Sequence, residues 1–184
     1  RWTCMSRTDR VDEELLRAMA AAGCFNILFG IESLNPEPLK RAAKNLDPAT
    51  VKPALDAARR AGIETVVSIM IGLPGDTPEG FERTLDGLIE LDPDFAQFFV
   101  VQLARGNAPD GGRLVSEWDG GRFDFWGHVY APDAFSGKGQ LLALRRKAFA
   151  RFYLRPGYLA KRARALGRSP DRRAQVDRLV RGGV

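Results

Sequence analysis

Residues 64–78 read ETVVSIMIGLPGDTP, and this stretch decides the fold. Val66, Val67, Ile69, Met70 and Ile71 form a near-continuous β-branched and apolar run, the composition of a strand covered on both faces within a parallel sheet. The run stops at Gly72-Leu73-Pro74-Gly75, where two glycines and a proline bend the chain sharply. Asp76, Thr77 and Pro78 then announce a helix: a short oxygen-bearing side chain caps free amides, and proline suits the first helical position. Phe81, Leu85, Leu88 and Ile89 follow at spacings of three and four, the stripe of an amphipathic helix.

The same strand, turn and helix recur outward from this unit. Strands are predicted at roughly 2–6, 25–31 and 95–101 as well as 64–71, the last of the series again rich in aromatic and β-branched residues. Helical stripes run through Leu15, Leu16 and Met19 and through Val51, Leu55 and Ala58. Asp12 caps the first and Gly23 closes it, while Asp47 before Pro48 opens the second and Gly62 ends it. Because each crossover between parallel strands is right-handed, these β-α units predict an α/β fold: a partial TIM-type (βα) barrel fragment with parallel strands.

The rhythm changes after Gln102. Gly106, Pro109, Gly111, Gly112, Gly120, Gly121 and Gly127 make residues 102–137 a loop-rich region. From Lys138 the pattern is helical, with Leu141, Leu144, Ala148 and Phe152 on one stripe, a break at Arg155-Pro156-Gly157 and two further short helices, the last Arg-rich. The expected organisation is therefore barrel over 1–101, loops over 102–137 and a basic helical extension over 138–184.

Composition narrows the class. With 45% hydrophobic content in 184 residues, the chain can bury a substantial core. Charged residues interrupt every apolar stretch well short of the roughly 20 residues that cross a bilayer, so no membrane association is expected. The sequence begins at Arg1 and runs straight into a strand-like segment, which reads as a fragment lacking the N-terminal half of its polypeptide. Two cysteines, Cys4 and Cys24, stand too far apart for a metal-ligand pair and are read as small core residues, a usage that fits a reducing cytoplasm. Of the net charge of +5, the basic part belongs to residues 145–184, where 13 Lys and Arg face only Asp171 and Asp177. Such a block could contact RNA or another anionic partner, but no aromatic-interleaved motif accompanies it, and a solvated helical face explains it as well.

In parallel α/β barrels the chemistry sits at the C-terminal ends of the strands. That rule selects Arg7, the segment Gly30-Ile31-Glu32-Ser33, and Gly72-Leu73-Pro74-Gly75-Asp76-Thr77. A carboxylate directly after an apolar strand needs donors, so Glu32 either accepts the two hydroxyls of a ribose diol, with Ser33 adding a hydrogen bond, or pairs with a rim arginine or helix start. The glycine-proline turn either reads the edge of an adenine through its main chain or is a plain strand-to-helix turn; it lacks the pattern of a phosphate loop. Arg7 could hold a carboxylate through its fork of donors or pair with Asp9 or Asp12. His128, beside Trp126 and Tyr130, has no partner in sequence and receives no role. No nucleophile with its own base is evident.

Taken in order, Arg7-Thr8-Asp9, Val11-Asp12-Glu13-Glu14-Leu15-Leu16, Ala22-Gly23-Cys24, Gly30-Ile31-Glu32-Ser33, Ala61-Gly62-Ile63 and Gly72-Leu73-Pro74-Gly75-Asp76-Thr77 resemble the radical S-adenosylmethionine (SAM) superfamily. Within it the likeness is to the cobalamin-binding subgroup that includes the anaerobic magnesium-protoporphyrin cyclase type, and Phe152-Tyr153-Leu154-Arg155-Pro156 is similar to the segment after the barrel there. The resemblance implies a six-stranded partial barrel whose third to sixth strands this chain supplies. SAM would lie across the rim, with Glu32 as the ribose acid, Ser33 its neighbour, Arg7 nearby and Gly72, Leu73, Pro74 and Gly75 as the adenine-side loop.

It also implies a 4Fe-4S cluster that generates a 5′-deoxyadenosyl radical, an organic small-molecule substrate, and possible use of cobalamin. The chain departs from the pattern in three ways. The CxxxCxxC cluster loop and the cobalamin domain lie outside it, and the expected Pro-Gly-Thr turn appears only as Ala108-Pro109-Asp110-Gly111-Gly112-Arg113. The chain alone is expected to be inactive.

Overall fold

Strand β3 (Glu64–Ile71) is the centre of the fold. It pairs in parallel with β2 (Cys24–Glu32) on one side and β4 (Phe95–Val100) on the other, and β1 (Trp2–Ser6) completes a four-stranded sheet of order β1-β2-β3-β4. The computed structural model describes residues 1–103, 111–115 and 128–168. All four strands fall where the apolar runs place them, because β-branched and aromatic residues pack well on a pleated surface.

The helices carry the predicted signals. Asp12 accepts a hydrogen bond from the Leu15 amide and starts α1 (Glu13–Ala21). Asp47 accepts from the Ala49 amide and caps a 3-10 turn leading into α3 (Val51–Arg60). Thr77 accepts from the Gly80 amide, with Pro78 as the first residue of α4 (Pro78–Leu91). Between β2 and α3 lies a short helix, α2 (Pro36–Arg41), that the apolar periodicity does not announce; the Asn35 side chain caps it. Leu16, Leu55, Ala58, Phe81, Leu85 and Leu88 are buried, whereas Leu15 is exposed despite its place in the first stripe.

One expectation needs correction: the sheet is covered on one face only. Ile27, Phe29, Ile31, Val67, Ile69, Ile71, Ala96 and Phe98 are buried on the helical side. The alternate residues, among them Leu28, Gly30, Glu32, Val66, Ser68 and Met70, are only half-buried, and Met5, Gln97 and Phe99 are exposed. The reason is topological. Successive right-handed crossovers lay every helix on the same side, leaving the other face as the concave wall of an incomplete barrel.

The stretch read as loop-rich contains three short strands, β5 (Gln102–Leu103), β6 (Gly112–Leu114) and β7 (His128–Pro132), paired antiparallel in the order β5-β7-β6. Val101, just before this region, and Tyr130 within it pack with Leu73, and Met70, Ala42 and Leu103 lie against them. The small sheet therefore sits beside the turn that follows β3. Helix α5 (Lys138–Tyr153) comes next, with Leu141 and Ala148 buried.

The chain divides into a compact unit Arg1–Ala148 and a second unit Phe149–Val184. Within the second, the end of α5 and helix α6 (Pro156–Arg168) carry an aromatic cluster, with the Arg155 guanidinium 4.4 Å from the Phe152 ring centroid and 5.4 Å from that of Tyr158. The last predicted Arg-rich helix, Ala108-Pro109-Asp110 and Trp126 lie outside the described residues. No helix among those described is long and apolar enough to cross a membrane.

Candidate functional site

The C-terminal ends of β1 to β4 form one edge, and the predicted site segments after β2 and β3 both lie on it, on adjacent strands. At the end of β2 the backbone leaves the regular ladder: Gly30 pairs with Ser68 but Glu32 with Ile69, so the register shifts between them. Glu32 has φ of +68° and the Ser33 amide donates back to the Ile31 carbonyl at 2.8 Å. A positive φ with this two-residue hydrogen bond describes a γ-turn of the rarer, strained hand, unusual for a residue with a side chain.

The turn aims the carboxylate over the sheet. Glu32 Oε2 accepts from Ser68 Oγ at 3.4 Å, Lys44 Nζ stands 3.5 Å from Oε1, and the side chain is only 13% exposed. A Cβ on Gly30 would come within 3.1 Å of Oε1, so glycine there keeps the space that the carboxylate uses. Both partners are at long distance, leaving hydrogen-bonding capacity on an acid with several lone-pair sites. Lys44 and Ser68 were not singled out from sequence. Ser68 could have been found as the hydroxyl that interrupts the apolar run Val66 to Ile71; Lys44 follows a helix that the periodicity did not reveal.

Arg7 and Glu32 line the same cleft, of about 370 Å³, with Met5, Ser6, Arg10, Gly30, Ile31, Lys44 and Leu46. Arg7 already forks onto Asp9 at 2.8 and 2.7 Å and donates to the Asn45 carbonyl at 2.6 Å, the ion-pair alternative of the sequence reading. Its guanidinium holds the Asp9 carboxyl below the usual carboxylate range. Ser33 is buried and faces inward: its hydroxyl lies 3.3 Å from that of Thr84 and accepts from the Asn35 amide. A larger cleft of about 530 Å³ lies between α1 and α3, bounded by Asp12, Glu13, Ala54 and Arg60, whose acids already cap a helix or pair with arginines.

The turn after β3 is built from glycines with positive φ, +83° at Gly72 and +77° at Gly75. Gly72 and Leu73 are buried; Pro74 and Gly75 are half-buried. A Cβ on Gly72 would approach Leu141 Cδ2 to 3.0 Å, and one on Gly75 would come within 2.5 Å of Arg41 Cδ. Asp76 is buried, accepts from the Thr77 amide at 2.9 Å, and has its carboxyl pushed up to about 6 by burial, against the opposing pull of the Thr77 and Gly72 amides.

Among the described residues no group of three or more His, Cys, Asp or Glu is arranged to hold a metal ion. Cys4 lies within β1 and Cys24 begins β2, both below the edge that carries Glu32, and burial pushes the Cys4 thiol up. Neither fits a cluster serving that edge.

Residues 1–88 match the family described as Radical SAM superfamily. An uncharacterized methyltransferase of Pyrococcus horikoshii is 31% identical over 164 residues, covering 87% of this chain and 36% of the relative. The anaerobic magnesium-protoporphyrin IX monomethyl ester cyclase of Rubrivivax gelatinosus is 25% identical over 150 residues, or 80% of this chain and 27% of that one. The radical SAM methyltransferase TsrM of Kitasatospora setae, solved with cobalamin and a [4Fe-4S] cluster, superposes with a TM-score of 0.50 and 26% identity over 54% of this chain and 20% of its own. This chain thus spans about a third or less of the proteins it is compared with. With the match running from β1 into α4 across the edge just described, residues 1–88 are assigned to the radical SAM superfamily.

Proposed function

We propose that residues 1–101 form the SAM-binding rim of a radical SAM enzyme acting on a small organic molecule. Glu32 accepts the ribose hydroxyls, held in place by Ser68 and Lys44, and the main chain of Gly72 to Gly75 borders the adenine. The observation that carries this reading is the strained turn at Glu32, which lays a largely buried carboxylate across open space above Gly30. Strained backbone of this kind clusters at sites where a side chain is put to use, and here it presents a carboxylate.

In this family SAM and a 4Fe-4S cluster together supply a 5′-deoxyadenosyl radical. No residue of this chain is assigned to the cluster or to cobalamin; its own residues bind, orient and shield the nucleoside. Similarity to a methyltransferase and to a cobalamin-containing methyltransferase structure favours cobalamin-assisted methyl transfer over cyclisation.

The test is Glu32→Ala in protein carrying the complete barrel. Loss of two charge-assisted hydrogen bonds should weaken SAM binding at least tenfold, about 1.5–3 kcal/mol, measured by calorimetry, with the visible absorbance of the cluster unchanged. Undiminished affinity refutes the ribose assignment.

A further inference from the structure

We infer that Gln97, midway along β4, is a specificity-determining residue that reads a hydrogen-bonding edge on a flat, largely apolar aromatic substrate lying on the open face of the sheet. The inference rests on the proposed function, because it takes the face beside Glu32 as the reaction face.

Strand register sorts that face into rows. Met5, Leu28, Val66 and Phe95 pair in sequence across all four strands and make an apolar row. One level nearer the edge, Gly30 pairs with Ser68 and Ser68 with Gln97. The Glu32 carboxylate occupies the space above Gly30, so this row reads carboxylate, hydroxyl, carboxamide. Above it Met70 pairs with Phe99, which is 44% exposed. A polar row thus runs between two apolar ones.

Gln97 is the member of that row without a commitment. It is exposed, and among the described residues its side chain makes no hydrogen bond. On its own strand the same-face neighbours are Phe95 and Phe99, roughly 7 Å to either side. Apolar surface settling on the two rings would bury the carboxamide between them, and a buried amide left unpaired is strongly disfavoured. A ligand for this surface therefore needs an aromatic body and a polar edge. The carboxamide offers a donor and an acceptor side by side, which matches a lactam edge.

Gln97 stands two strand spacings, roughly 10 Å, from the strand carrying Glu32 and one level below the edge. The turn proposed to border adenine lies above β3, so Gln97 is placed to meet a second molecule deeper in the barrel.

The experiment titrates two bicyclic probes of similar outline, quinolin-2-one and naphthalene, into the chain, following the backbone amides of Phe98 and Phe99 by NMR in wild type and variants, with the Gln97 side-chain amide as a further probe in wild type; adenosine is titrated separately. Wild type should prefer quinolin-2-one by about tenfold, the effect of one or two net hydrogen bonds. Gln97→Leu should bring the two probes within about twofold of each other, with adenosine affinity and circular dichroism unchanged. Gln97→Glu, which still accepts from the probe's N–H, should keep part of the preference. Equal affinity of the probes for wild type, no binding of either, or a preference that survives in Gln97→Leu overturns the inference. Weaker adenosine binding in Gln97→Leu also overturns it, by assigning the residue to the nucleoside. Loss of the ribose reading would appear instead as Glu32→Gln leaving adenosine affinity intact, independent of the probe ratio.

Discussion

The turns after β2 and β3 reach the same edge by opposite means. After β3 the reversal is given to residues without side chains: Gly72 and Gly75 take the positive φ values, and neighbouring side chains fill the space beside them. After β2 the positive φ falls on Glu32, which has a side chain to place, while the glycine stands two residues earlier to make room for it. Each turn also carries an acid, Asp76 buried and hydrogen-bonded to the main chain, Glu32 facing a cleft with long contacts. The contrast separates a turn built for stability from one that accepts strain to present a functional group.

Substitutions should therefore act with opposite sign at the two turns. The largest effect is expected for Gly72→Val, which puts a branched side chain at φ of +83° and against Leu141. Backbone strain and overpacking together should destabilise the fold by about 3–4 kcal/mol, read from the denaturant midpoint. If the midpoint is unmoved, the β3 turn does not hold its glycine for conformation.

Next in size is the acid of the β3 turn. The Asp76 carboxyl titrates at about 6 in the folded chain, against roughly 3.9 when unfolded. Between those values the folded state holds the proton and the unfolded state has lost it, so stability should fall as pH rises from about 4 to 6, by roughly 2–3 kcal/mol, and level off above. Asp76→Asn should flatten that limb of the pH–stability curve. A curve with the same slope in wild type and variant would locate the titration elsewhere.

The smallest change is the most telling. Glu32→Gly removes a side chain from an unfavourable backbone conformation and gives up only contacts of 3.4 and 3.5 Å, so thermal denaturation should show a gain of about 1 kcal/mol. The same variant should bind SAM poorly. Loss of stability in Glu32→Gly would mean that the carboxylate serves the fold.

Much of this was legible from residue order. Strands made of β-branched runs and helices opened by Asp12, Asp47 and Thr77 declare themselves because the signals are local. Three features were not. The one-sided covering of the sheet depends on how many strands close the barrel, which an apolar run such as Val66 to Ile71 does not encode. The strands β5, β6 and β7 are two to five residues long and are set among glycines, too short for any period to show. The strain at Glu32 is invisible because glutamate has no preference for that conformation; the nearby Gly30 draws attention to a bend that occurs two residues later. The site was partly readable for the same reason. Glu32 follows from its place after a strand, whereas Lys44 and Ser68 reach it only through α2 and the register of β3.

Arg41 extends from α2, lies across the backbone of Gly75, and pairs with Glu37 one helical turn earlier. The segment leaving β2 thus rests a side chain on the segment leaving β3. Any side chain added at position 75 must first push that arginine aside, so the bareness of one lip of the edge is matched to the reach of the other.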